Sequence, residues 1–374
     1  MRVLHVLKAS GIAGTERHLL TLLPSLGADG YEISVCLLRG ASGDAFERAL
    51  LGRGIPVTSI DMHHDISPPA WSRITKIIRR DPPDLIHTHL IHGQVYGLSA
   101  AHRLGVPAVN SIHSTHDFYR NGPTGLAARG TGRWAMRTIA ISKYVYRFIE
   151  EVRLATPGTV RVIHYGIDPT DWQSSDEERT RTRAHYNCVP NDVAVLSTSR
   201  LIPGKGHDLL LDALRFALQD APNLKLLIAG TGPLETELRS IAASVSPSAI
   251  AFVGYTDNVR SLLAAADIFV FPTNPSLSEG FGLGALEASA TGRPVIATRV
   301  GALPEIVIDG ATGRVVAASD PAEMARSLVE LASSPQLRAR MGEAGIVRAR
   351  SQFSLDQMVS ATSEVYREAI GVRR

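Results

Sequence analysis

Short apolar runs alternate with longer amphipathic stretches along most of the chain, and the alternation occurs twice. In the first half, residues 2–7, 31–38, 57–60, 85–89, 108–113, 138–141 and 160–163 read as strands. Helical periodicity covers 16–26, 44–52, 71–80, 95–104 and 143–152, while 116–132 is polar, glycine-rich and without a period. The pattern lapses over 169–190 and then restarts. Strands follow at 193–197, 224–229, 249–253, 266–271 and 294–298, with helices at 207–218, 234–243, 258–265, 282–290, 321–333, 335–349 and 354–370. Strands that alternate with helices predict parallel sheets covered on both faces. The expected organisation is a first doubly wound domain over 1–168, a linker over 169–190 and a second domain over 191–352. A terminal helix within 353–374 is expected to cross back to the first domain. Ligands of such folds bind at the carboxyl ends of strands. The motifs below all follow strands, so a cleft between the domains is the expected site.

The most informative stretch is 272–287, PTNPSLSEGFGLGALE, which runs from a buried strand into a small-residue helix. Unpaired amides and the dipole at a helix start favour an anion. Gly280, Gly282 and Gly284 carry no Cβ that would hold a ligand off the backbone. Glu279 and Glu287 bracket the turn. Treated as one continuous helix, they would stand about 12 Å apart along the axis. That spacing suits two grips on an extended, phosphate-linked ligand better than a proton-sharing pair.

Composition narrows the classes. The chain has 374 residues, 44% apolar and 20% charged, with a net charge of +3, which is too small to point to nucleic acid. Cys36 and Cys188 stand far apart without metal-like spacing and read as small apolar residues in a reducing compartment. The start, MRVLHVLKAS, has no signal-peptide layout, and no apolar run approaches the ~20 residues of a membrane span. A cytoplasmic protein, peripheral at most to a membrane, is the expectation.

Other motifs admit two readings each. Arg200 and Lys205 in SRLIPGKG flank a Pro-Gly turn and suit a diphosphate, or are two surface charges. The GTGP turn at 230–233 lacks the third glycine of a dinucleotide fingerprint. GIAG at 11–14 brings amides to a phosphate or is a plain turn. His87, His89, His92, His113 and His116 cluster at strand ends. They allow a metal site, hydrogen bonding from His113 to substrate hydroxyls, or a structural role. His63 and His64 read as an exposed loop pair without function. Eight basic residues between Arg120 and Arg161, interleaved with Trp134, Tyr144, Tyr146 and Phe148, face only Glu150 and Glu151. They form either a surface for anionic lipid or a phosphorylated acceptor, or an ordinary solvated face.

SLSEGFGLGALEASATGRPVIAT followed by GALPEIVIDGATG closely resembles the signature of the retaining GT-B glycosyltransferases of family 4, whose core is Glu-x7-Glu, here Glu279 to Glu287. SRLIPGKG, IAGTGPLETEL, FVGYTDN and DLIHTHL resemble other family segments in the same order, over about residues 2 to 350. The resemblance implies an α/β GT-B fold, with two Rossmann-like domains facing an interdomain cleft. It implies a hexosyltransferase that moves a hexose from a nucleotide diphosphate sugar, UDP first and GDP second, to a hydroxyl of a glycan or lipid-linked acceptor.

The resemblance also assigns roles. Arg200 and Lys205 would hold the diphosphate, and Glu279 with the amides near Gly280, Phe281, Gly282 and Leu283 would hold the sugar and its phosphate. Glu287 would bind the ribose, and the segment ending at Gly254 and Tyr255 would face the base. Gly14 and His113 would reach the donor from the first domain. No metal or other cofactor is expected, and the departing phosphate oxygen would take the acceptor's proton. Two departures touch the acceptor side: GIAG stands in place of paired glycines, and His164-Tyr165-Gly166-Ile167-Asp168 in place of Asn-Gly-hydrophobic-Asp. A sugar-nucleotide epimerase on this fold and a non-catalytic nucleotide-sugar-binding protein are the competing readings.

Overall fold

The computed structural model describes residues 1–9, 11–39, 44–62, 64 and 67–371; Ser10 of the first glycine loop and His63 lie outside them. The chain divides into two compact units, Met1–Gly166 with Leu355–Arg374, and Ile167–Ser354.

The first unit contains β1 (Arg2–Ala9), α1 (Gly14–Ala28), β2 (Glu32–Arg39), α2 (Asp44–Leu51), β3 (Val57–Asp61), α3 (Pro68–Arg80) and β4 (Leu85–His89). These are followed by α4 (Leu90–Leu104), β5 (Ala108–Ile112), α5 (Gly122–Gly132), β6 (Arg137–Ala140), α6 (Lys143–Val152) and β7 (Val160–Val162). The seven strands form a parallel sheet in the order β3-β2-β1-β4-β5-β6-β7. Side chains alternate across a strand, and the cores follow that alternation. Val3 and Leu7 of β1 pack with Leu19, Leu22 and Leu23 of α1, whereas Leu4 and Val6 pack with Ile74 of α3 and Leu98 of α4. The sheet is therefore covered on both sides.

The second unit contains α7 (Asp176–His185), β8 (Val193–Thr198), α8 (His207–Asp220), β9 (Leu224–Ala229), α9 (Glu235–Val245), β10 (Ile250–Gly254), α10 (Val259–Ala265), β11 (Ile268–Phe271) and α11 (Leu283–Ala290). It continues with β12 (Val295–Thr298), α12 (Leu303–Ile306), β13 (Gly313–Val316), α13 (Pro321–Ser333) and α14 (Pro335–Gln352). Its six strands run parallel in the order β10-β9-β8-β11-β12-β13. The final helix, α15 (Leu355–Gly371), belongs to the first unit, where Met358, Val359, Val365 and Tyr366 join the core that holds Val3 and Leu7.

Several elements depart from the sequence pattern. The glycine-rich stretch 116–132 contains a helix, α5, because its glycines permit close approach: a Cβ at Gly132 would lie 1.9 Å from the Leu154 carbonyl oxygen. Helix α4 begins directly after β4 at Leu90, which takes a φ of 58°, so it starts five residues before the apolar period shows it. α12 is a single turn, and β13 reads Gly-Arg-Val-Val with only two adjacent apolar residues, so neither leaves a pattern. Residues 169–190, read as a linker, lie within the second unit. There Arg179 and Arg183 of α7 donate to the two oxygens of Asp267 at 2.6 and 2.9 Å, and Asp267 also accepts from the Ala194 amide at 2.8 Å. Burial by itself would raise the Asp267 carboxyl; the Ala194 amide and the two guanidiniums outweigh it and hold the group below its ordinary value.

Candidate active site

In the second unit the turns after four neighbouring strands are tied together by main-chain hydrogen bonds. After β8, the Ser199 amide donates to Ala229 O at 3.0 Å and the Leu201 amide to Thr231 O at 2.9 Å. The Gly230 amide donates to Gly254 O at 2.8 Å, and the Asn274 amide, after β11, to Gly204 O at 2.8 Å. Gly206, with φ 73°, permits the closest approach, since a Cβ there would lie 1.8 Å from Pro272 O. The cationic loop 199–206 is thereby held against the 272–279 segment.

The result is an ion pair. Lys205 Nζ donates to Glu279 Oε2 at 2.8 Å, and both side chains are largely buried. Lys205 Nζ also lies 5.5 Å from the centre of the Phe271 ring, within cation–π range. The main chain of Glu279 is fixed too, because its carbonyl accepts from the Ala302 amide at 3.0 Å. Arg200 is exposed, a guanidinium presented at the same strand end. The structure thus brings Lys205 and Glu279 together and sets Arg200 on the loop that carries Lys205.

Glu279 precedes α11 by four residues, and the intervening 279–282 backbone is not helical. The single-helix spacing from Glu279 to Glu287 therefore does not hold. Gly282 is the N-cap of α11 at φ 102°, and a Cβ there would press to 2.5 Å from Leu303 Cδ2, so this glycine serves the protein's own packing. Gly280 is buried, and Leu283 is the first helical residue. The Phe281 ring is buried against Phe353, with centroids 6.0 Å apart, which leaves only its main chain to a ligand. Glu287 is 4% exposed, one turn into α11. Gly254 ends β10 at φ 77° with open space at its missing Cβ. Tyr255 beside it is 65% exposed, and its hydroxyl donates to Asp257.

Sequence reasoning passed over His207, the first residue of α8. Its Nε2 lies 3.1 Å from Ser199 Oγ, its Nδ1 is buried without a partner, and burial lowers its pKa to about 4. Its place directly after the Gly-Lys-Gly turn was the available signal.

In the first unit, Gly14 is the first residue of α1 with open space around it. The helix start is already capped, since Glu16 Oε2 accepts from the Ala13 amide at 3.0 Å. His113 is 6% exposed, with Nε2 3.0 Å from His89 Nδ1 and Nδ1 2.7 Å from the Tyr165 hydroxyl. In this state it has no ring nitrogen free for a sugar hydroxyl. Tyr165, in the segment where the sequence departs from the family pattern, takes that position.

His5, His87 and His89 are grouped closely enough to hold a metal ion. Their nitrogens, however, are already partnered. His5 Nδ1 meets His89 Nε2 at 2.9 Å, and His87 meets Tyr366 and Ser111 at 2.6 and 2.8 Å. The hydrogen-bonded trio does not offer three free lone pairs. Burial lowers the pKa of His5 and of His113 to about 3 and holds His18, His87 and His89 well below the usual value, so these rings are neutral. His64 is exposed.

The basic stretch is partly neutralised within its own unit. Arg120 pairs with Glu151, and Arg137 and Arg161 both pair with Glu368 of α15. Lys143, Arg147 and Tyr146 of α6 remain exposed, as does Leu126 of α5. Among the described residues, no helix is long and apolar enough to cross a membrane.

The family model described as Glycosyltransferase Family 4 matches residues 12–171, and that described as Glycosyl transferases group 1 matches residues 192–334. A D-inositol 3-phosphate glycosyltransferase of Streptomyces scabiei is 34% identical over 313 residues, covering 77% of this chain and 68% of that protein. The chain belongs to the group 1 glycosyltransferases of family 4. A GDP-mannose-dependent mannosyltransferase of Corynebacterium glutamicum, acting on a monoacylated phosphatidylinositol monomannoside, is 35% identical over 226 residues, covering 58% of each chain. The crystal structure of Anabaena HepE in complex with UDP matches this glycosyltransferase with a TM-score of 0.86 at 22% identity, over 97% of this chain and 99% of that one. The α/β architecture with two parallel sheets is that of GT-B glycosyltransferases. This family 4 glycosyltransferase is a hexosyltransferase that uses a nucleotide-sugar donor.

Proposed function

We propose that this glycosyltransferase retains configuration, needs no metal ion, and moves a hexose from a UDP-sugar, with GDP-sugar second, to a hydroxyl of a glycan or glycolipid acceptor in envelope or exopolysaccharide synthesis. The observation that carries this is the Lys205–Glu279 pair, held at the strand ends beside the start of α11. Arg200 and Lys205 take the diphosphate, and the pair opens so that Lys205 turns from one anion to another. Glu279, freed, accepts from hydroxyls of the sugar, and the main chain at Gly280, Phe281, Gly282 and Leu283 holds its phosphate. Glu287 binds the ribose, and Gly254 with Tyr255 lies along the base. In the first unit, Gly14 and His113 are the proposed donor contacts, His113 after its link to Tyr165 is exchanged for a sugar hydroxyl.

In the transfer, the bond between the anomeric carbon and the phosphate oxygen breaks. The acceptor oxygen bonds to that carbon on the same face, and its proton passes to the departing phosphate oxygen. Arg200 and Lys205 stabilise the charge that develops there, an effect confined to the transition state. Relatives named for inositol 3-phosphate and for an acylated phosphatidylinositol mannoside support an acceptor bearing a phosphate near a polyol hydroxyl. Lys143, Arg147 and Tyr146 of α6 are the proposed contact with an anionic membrane, and a cytoplasmic, peripheral location is the companion proposal.

The test is a thermal-shift screen of UDP- and GDP-hexoses followed by transfer assays with and without EDTA. One sugar nucleotide should raise the melting temperature in proportion to the logarithm of its concentration. Turnover should survive chelation. A site that binds no sugar nucleotide, or turnover that EDTA abolishes and a divalent ion restores, overturns the reading.

A further inference from the structure

A line of hydrogen-bonded rings runs through the first unit from Tyr165 to Ser111. The Tyr165 hydroxyl lies 2.7 Å from His113 Nδ1, His113 Nε2 lies 3.0 Å from His89 Nδ1, and His89 Nε2 lies 2.9 Å from His5 Nδ1. His5 Nε2 lies 3.4 Å from the Tyr366 hydroxyl, which lies 2.6 Å from His87 Nδ1, and His87 Nε2 lies 2.8 Å from Ser111 Oγ. All four histidines are almost completely buried. Strands β1 and β4 supply His5, His87 and His89, β5 supplies Ser111, His113 follows directly on the end of β5, and α15 supplies Tyr366.

A neutral imidazole has one N–H and one lone pair. Where two such rings share a hydrogen bond, only one proton lies between them, so the sense of one link fixes the next. Followed along the line, His113, His89 and His5 carry their protons either all on Nε2 or all on Nδ1, and His87, reached through the Tyr366 hydroxyl, is set by the sense of that phenol's bond. The tyrosines choose between these. The oxygen lone pairs of a phenol are drawn into its ring, so a phenol donates more strongly than it accepts. Both short phenol contacts, 2.7 Å at Tyr165 and 2.6 Å at Tyr366, meet an Nδ1, whereas the Nε2 contact of Tyr366 is the long one at 3.4 Å. Phenols that donate to Nδ1 require protons on Nε2 throughout.

We infer that His5, His87, His89 and His113 share a single tautomer, with the proton on Nε2, and that this chain fixes His113 as a hydrogen-bond acceptor toward any hydroxyl that replaces Tyr165. His89, His5 and Tyr366 are then positioning residues. They set which atom of His113 faces a ligand, and thereby that the ligand must present a donor. The statement about a ligand rests on the proposed donor contact of His113, whereas the shared tautomer rests on the hydrogen bonds alone.

The full chain labelled with 15N-histidine, free of ligand, tests the tautomer directly, because long-range 1H–15N spectra show which ring nitrogen carries the proton. Signals are assigned by their loss in H113Q and H87Q. All four rings should report Nε2–H; one Nδ1–H among them, or all four, overturns the inference. In Tyr165→Phe, which removes only the terminal hydroxyl, the His113 Nδ1 signal should move to the position of an unbonded nitrogen while His87 is unchanged. A His113 signal that does not move overturns the first link. Tyr165→Phe also serves if Tyr366→Phe, which cuts the chain in the core, fails to fold. With the sugar nucleotide found by the thermal screen, His113 should keep its Nε2 proton, and a switch to Nδ1–H overturns the acceptor assignment. Mixed tautomers would leave the transferase reading intact, and a failed transferase assay would leave the ligand-free spectra standing.

Discussion

Acid should unfold the first unit well before the second. Five histidines of the first unit, His5, His18, His87, His89 and His113, are buried and kept neutral by that burial. In the unfolded chain each titrates near pH 6.5. Above that value neither state binds the proton and the histidines cost nothing. Below it the unfolded chain gains protons that the folded unit cannot accept, and stability falls with pH. At pH 5.5 the loss is about 1.4 kcal/mol for each ring, or about 7 kcal/mol for five as a ceiling. A domain typically has ~5–15 kcal/mol in all. The second unit has His207 in this state, with its pKa lowered to about 4, so its loss at the same pH is about 1.4 kcal/mol. Urea unfolding followed by tryptophan fluorescence separates the two, because Trp71 and Trp134 lie in the first unit and Trp172 in the second. In a Trp172→Phe background the midpoint should be flat above about pH 7 and fall steeply below about pH 6.5. A first-unit midpoint that is unchanged down to pH 5.5 would show that these rings take up protons in the native state, and would refute the reasoning.

Four further outcomes are expected. Lys205→Met leaves the Glu279 carboxylate largely buried and unpaired, so stability should fall by about 1–3 kcal/mol and kcat/KM by at least about tenfold; a double-mutant cycle with Glu279→Gln that is additive within about 0.5 kcal/mol would deny the pair. Arg200→Ala, at an exposed position, should leave the melting temperature nearly unchanged while lowering kcat/KM about tenfold or more, and near-normal transfer would remove Arg200 from the diphosphate site. Gly206→Ala places a Cβ against Pro272 O at a φ of 73° and should cost about 2 kcal/mol or more in urea unfolding, with the loop and the activity lost together. Asp267→Asn should cost about 3 kcal/mol and remove an acid sensitivity of the second unit. The Asp267 carboxyl is held below its ordinary value, so its contribution is present above about pH 4 and disappears as pH falls through the lower folded value; an identical acid limb in wild type and variant would refute this.

The parts of the fold legible in the sequence were those with a period. Both sheets could be read because their buried strands are continuous apolar runs, and the helices 71–80 and 207–218 because one face of each is apolar. Helix α5 was hidden because its glycines serve close contact with Tyr119 and Leu154, which leaves no apolar stripe. The cationic loop and the Glu-x7-Glu element were legible as residue types at fixed spacing. Their geometry was not, because the 279–282 backbone is not helical and is tied, through the Glu279 carbonyl, to the Ala302 amide more than twenty residues away. The partners of His113 were equally hidden: Tyr165 lies 52 residues away in sequence, and only the sheet order brings the end of β4, with His89, beside the end of β5.

The return of α15 to the first unit has a consequence for synthesis. A ribosome completes the sheet strands of that unit long before it makes Met358, Val365 and Tyr366, because the whole of Ile167–Ser354 comes between. At ~5–20 residues per second the interval is roughly 10–40 s. During it, the face that carries Val3, Leu7 and three buried histidines has α1 but lacks α15, while the second unit, which is continuous in sequence, has everything it needs to close. The unit made first is therefore the one finished last, and its uncovered apolar face is the natural target for a chaperone on the nascent chain.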